Sequence, residues 1–130
     1  MGDKEQFMTR VTDLYRFEAI QGHLGWDQET IMPAKGAKAR GEILAWLAGQ
    51  RHSRLIDEEM GKLISTLEGG DHDDFFTANL KEMRRKYDEA VKLPTEFVSE
   101  FTKARSEALI AWQKARSESD FSQFAPHLQN

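Results

Sequence analysis

Residues 94–116 read PTEFVSEFTKARSEALIAWQKAR. Within this stretch Phe97, Phe101, Ala104, Ala108, Trp112 and Ala115 recur at steps of three and four, which lines them along one face of a helix. Pro94 stands where the first turn begins, the one place in a helix where a missing N–H is no loss. A helical period held over so many residues with no turn signal inside it sets the class of the fold as all-α.

Working outward, the same rhythm returns upstream. Asp73 or Asp74 can cap a helix carrying Phe76, Leu80, Met83, Tyr87 and Val91, which runs to Lys92 before Leu93-Pro94 breaks it. Asp57, with Glu58 and Glu59 behind it, caps a short helix whose buried face is Met60, Leu63, Ile64 and Leu67, ended by Gly69 and Gly70. Ala37, Arg40, Leu44 and Leu47 follow the helical step to about Arg51, with Ile43 and Trp46 widening the apolar face. Phe7, Val11 and Leu14, with Met8 and Tyr15 beside them, mark a first helix from Asp3 to about Gln21. Gly22, Gly25, Pro33 and Gly36 predict a structured connection over residues 23–36. Downstream, Phe121, Phe124 and Leu128 are again apolar at helical spacing, with Pro126 near the start of a last helix. The expectation is an antiparallel or irregular bundle of five to six helices forming one domain over residues 1–130, with no strand, repeat or low-complexity linker.

Composition narrows the function classes. Hydrophobic residues make up 39% and charged residues 31%, with three Trp and eight Phe, enough apolar material for a folded core. A formal net charge of −4 disfavours a nucleic-acid surface, since such affinity comes largely from Lys and Arg neutralising phosphates. Cysteine is absent, which removes disulfides, thiolate nucleophiles and Cys-based zinc sites together and fits a cytoplasmic setting. No apolar run approaches the length of a membrane span, and the first twenty residues carry too many charges for a signal peptide.

A reaction centre is not legible. His23, His52, His72 and His127 never pair at the spacing that puts two ligands on one helical face, and no HExxH is present. The run Gly69-Gly70-Asp71-His72-Asp73-Asp74 lacks the ordered ligands of a calcium loop and reads as a polar turn leading into a helix. Arg84-Arg85-Lys86 is balanced by Glu82, Asp88 and Glu89 and reads as a solvated face. No activated Ser or Thr and no phosphate-cradling glycine loop is found. Catalytic and metal-binding residues are therefore expected to be none. One segment, Trp26 to Pro33, is more apolar and more defined than a plain loop requires, so Trp26 and Met32 are expected to anchor it to the core while Asp27 or Thr30 satisfies backbone donors. Trp26 and Trp112 are both expected to be substantially buried.

That segment resembles a known family. Trp26-Asp27-Gln28, Thr30, Met32-Pro33 and Gly36, followed by Arg40-Gly41-Glu42, are similar to the N-terminal signature of the carboxypeptidase Taq family of thermostable metallocarboxypeptidases. Lys86-Tyr87-Asp88 leading to Leu93-Pro94, then Trp112 with Ala115-Arg116, then Asp120-Phe121 with Phe124-Ala125-Pro126, resemble its next helices in order. The likeness runs from about Tyr15 to the last residue. It implies part of a larger all-helical fold with a deep cleft, in which an HExxH helix and a later Glu hold zinc that activates water to remove C-terminal residues from peptides. Those ligands lie downstream in the family, so none is carried onto this chain, and zinc belongs to the full-length parent alone. The matched positions Trp26, Asp27, Gln28, Thr30, Met32, Pro33, Arg40, Pro94, Trp112 and Arg116 are expected to be structural.

The resemblance implies as partners the remainder of the same polypeptide, peptide substrates in the complete enzyme and a homodimer, with no nucleic acid and no membrane. Two other readings stand beside it. One is a free-standing helical interaction module derived from such an enzyme. The other is a metal-binding helical protein using His23, Asp27, His72 and nearby acids.

Overall fold

A computed structural model describes residues 1–129, and among them lie six α-helices, two 3-10 turns and no strand. The helices are α1 (Asp3–Thr30), α2 (Ala37–Leu55), α3 (Glu58–Leu67), α4 (Asp74–Ala90), α5 (Thr95–Ser117) and α6 (Ala125–Leu128). Asn130, the last position of the expected domain, lies outside the described residues. None of these helices is long and apolar enough to cross a membrane.

The caps read from sequence form as expected. The Asp57 carboxylate accepts the Glu59 backbone N–H at 3.0 Å, and that of Asp73 accepts the Phe76 N–H at 2.7 Å, each satisfying a donor that the first turn leaves free. Both helices then bury one face. Met60, Ile64 and Leu67 of α3 meet Phe76, Leu80 and Met83 of α4, and Phe7, Val11 and Leu14 of α1 complete the core together with Leu55. Phe7 and Met60 are wholly buried, and Phe7 meets Phe76 edge-on with ring centroids 5.4 Å apart. Burial of each such side chain stabilises the fold by roughly 1.5–3 kcal/mol. Arg84 clips α4 to α3 from outside, donating to Glu68 at 2.7 and 2.9 Å and to Ser65 Oγ at 2.9 Å.

The second half of the molecule is built differently. α2 lies between α1 and α5, and the α2–α5 seam is made of small residues rather than large apolar ones. Gly41 faces Ser106, Gly49 faces Ser99, and His52 meets Thr95, so the two helices run antiparallel. A methyl added at Gly41 would sit 3.4 Å from the Ser106 Cβ, ordinary but close contact. His52, 6% exposed, fastens the end of this seam: Nε2 donates to the Ala90 carbonyl at 2.9 Å and Nδ1 lies 2.8 Å from the Thr95 hydroxyl. One side chain thus joins α2 to the C-terminus of α4 and to the first turn of α5.

Three expectations are corrected here. First, residues 23–30 are not a connection but the last two turns of α1, and the link to α2 shrinks to Ile31–Pro33 and a 3-10 turn at Ala34–Gly36. Gly22 and Gly25 each weaken a helix by about 1 kcal/mol relative to Ala. Tertiary bonds from α2 offset that cost: Arg40 Nη1 donates to the Leu24 carbonyl at 2.7 Å, and Arg40 Nη2 lies 2.8 Å from Asp27 Oδ2. Second, Trp26 is 62% exposed rather than buried. Because the helix continues, the positions that face α2 are Leu24, Asp27 and Gln28, and Trp26 falls on the opposite side. Third, Trp112 is 40% exposed, and Phe97 and Phe101 of the same stripe are 48% and 58% exposed. Thr95, Ser99 and Ser106 take the seam with α2 instead, leaving most of the aromatic stripe beside the seam rather than in it.

Candidate functional site

Four of the residues singled out in the sequence, Asp27, Gln28, Arg40 and Trp112, lie along one trough, floored by α2 and walled by α1 on one side and α5 on the other, while Trp26 is exposed outside it. Asp27 and Arg40 form its closed corner. Their ion pair is partly buried, with side chains 30% and 17% exposed, and it fixes the angle at which α1 leaves for α2. Thr30 donates its hydroxyl to the Trp26 carbonyl at 2.7 Å, which satisfies an acceptor in the last turn of α1. Met32 then packs beside Gly36, where a Cβ would stand 3.4 Å from Met32 Cγ, and Pro33 with ψ of 143° turns the chain into the 3-10 segment.

Gln28, one residue on, lines a groove of about 580 Å³ together with Gly25, Leu44, Leu109, Trp112 and Phe124. Gln28 is 7% exposed, yet its Nε2 has no hydrogen-bond partner. The Arg116 guanidinium sits 5.3 Å from the Trp112 ring centre and stiffens that aromatic at the mouth of the groove. A second hollow of about 490 Å³ continues the trough towards α4, between Glu18, Arg51, His52, Arg85 and Leu93. Pro94 stands apart from the corner, at the cap of α5, where its carbonyl accepts the Val98 N–H at 3.2 Å. Asp27 and Arg40 are thus brought together at the corner, Gln28 and Trp112 along the groove, while Pro94 belongs to the far end.

Sequence reasoning missed the small-residue seam of Gly41, Ala45 and Gly49 against Ser99 and Ser106, and it missed His52. Small residues at four-residue steps on α2 were a usable signal for the seam. His52 offered none, because its partners Ala90 and Thr95 become neighbours only in the fold.

The groups of the metal-binding reading are not brought together. About 24 Å of helix separates His23 from Phe7, at 1.5 Å per residue, whereas His72 packs on Phe76, the ring that meets Phe7, and bonds to the Leu67 carbonyl. Zinc needs three or four convergent ligands. Among the described residues no three His, Asp or Glu side chains converge. The charged clusters have other work: the Arg84 guanidinium holds the Glu68 carboxyl below the usual range, and Arg85 does the same to Glu82.

What the fold and the corner define is an all-helical unit, and the comparisons say which family it belongs to. The carboxypeptidase Taq (M32) metallopeptidase family matches residues 6–130, and the chain belongs to it. Thermostable carboxypeptidase 1 of Thermus thermophilus is 34% identical over 107 residues, covering 79% of this chain and 21% of the relative. Thermostable carboxypeptidase 1 of Pyrococcus furiosus is 27% identical, covering 95% and 25%. Among solved structures, Trypanosoma cruzi metallocarboxypeptidase 1 is 34% identical with a TM-score of 0.72, covering 97% of this chain and 26% of that one. The BsuCP crystal structure superposes with a TM-score of 0.93 at 24% identity, which speaks for the fold alone, and covers 98% and 26%. The chain therefore spans about a quarter of the length of the relatives it matches.

Proposed function

We propose that this chain is the N-terminal helical wall or lid of the peptide cleft in a zinc-dependent carboxypeptidase that removes C-terminal amino acids, and that alone it hydrolyses nothing. In this reading the water-activating centre sits in polypeptide outside these 130 residues, and Asp27, Arg40 and their neighbours hold the wall's shape. The supporting observation is one of proportion: nearly the whole chain matches relatives of which it spans only a quarter. No convergent ligand set among the described residues offers a second centre. The test is to incubate the purified chain with peptides, with and without added zinc or cobalt, and follow released C-terminal residues by mass spectrometry. No release is expected; turnover that a chelator abolishes refutes the reading.

The interaction-module reading draws on one observation, the exposed Ile43 and Trp46 of α2, 46% and 62% accessible. It requires the chain alone to form a defined dimer or complex. Light scattering at micromolar concentration decides between a monomer and that dimer.

A further inference from the structure

We draw no further inference here: the strongest candidate, the groove between α1 and α5 lined by Leu44, Leu109, Trp112 and Phe124, is an unpartnered face, and nothing in the structure shows what covers it.

Discussion

Replacing His52 by Ala removes a side chain that joins α2 to both α4 and α5. Two hydrogen bonds disappear, at 2.9 Å to the Ala90 carbonyl and at 2.8 Å to the Thr95 hydroxyl, from a residue only 6% exposed. A buried group left without its partner costs about 1–3 kcal/mol. Thr95 can turn its hydroxyl elsewhere in the first turn of α5, so most of that cost falls on the Ala90 carbonyl. The missing ring leaves a cavity that adds to it. The sum is about 2–4 kcal/mol, a large part of the stability of a domain this size. Urea unfolding at neutral pH, followed by circular dichroism, should show a lower midpoint with little change in slope. Thr95→Val removes only the second bond and should cost about 1 kcal/mol. Since the two share a contact, the double variant should cost less than the two single changes added together. A His52→Ala loss below about 1 kcal/mol, or strict additivity, refutes the claim that this histidine holds the seam.

Gly61→Ala on α3 should destabilise by about 1–2 kcal/mol although Ala is the better helix former, because overpacking outweighs propensity. The added methyl would stand 2.8 Å from Tyr87 Cζ, and a raised melting temperature contradicts this. Trp112→Ala should cost less than about 2 kcal/mol in the isolated chain, well below a buried-core truncation, since the ring is 40% exposed; a loss above 3 kcal/mol places the ring in a closed core. The carboxyls of Glu68, Glu82 and Asp120 are all held below their usual range, by Arg84, by Arg85, and by Ser122 with Gln123. Depressed folded-state values mean that their contribution is complete above the unfolded carboxylate range, near pH 4, and is lost as pH falls further. Urea midpoints from pH 7 to pH 3 should therefore drop most below about pH 4, less steeply in Arg84→Met; identical profiles for the two proteins contradict the assignment to Glu68.

What the sequence disclosed was whatever depends on near neighbours. Asp57 and Asp73 cap α3 and α4 because a carboxylate two or three residues before a free N–H lies within reach of it whatever the rest of the fold does. The cores of those helices followed from period alone. Periodicity located the aromatic face of α5 correctly but could not say what it meets, because an apolar stripe reports a face and not its cover. The seam with α2 is instead set by Gly41 and Gly49, whose lack of side chains lets Ser106 and Ser99 approach, and that pairing joins residues about fifty to sixty-five positions apart. The extension of α1 past Gly22 and Gly25 was hidden for the same reason, being held by Arg40 from another helix. Within the candidate site, Asp27, Gln28, Arg40 and Trp112 could each be picked out singly. Their division into an ion-paired corner and an open groove could not.

The glycine–serine seam also shapes how the molecule comes apart on warming. Ser106 and Ala115 are the buried residues of α5, against the large apolar cluster that α1, α3 and α4 build with Leu55, so releasing α5 carries the smaller heat-capacity change and opening that core the larger one. α5 is therefore the element to fray first, with its amide protons exchanging through a partial opening while those of α3 and α4 wait for the whole chain to unfold.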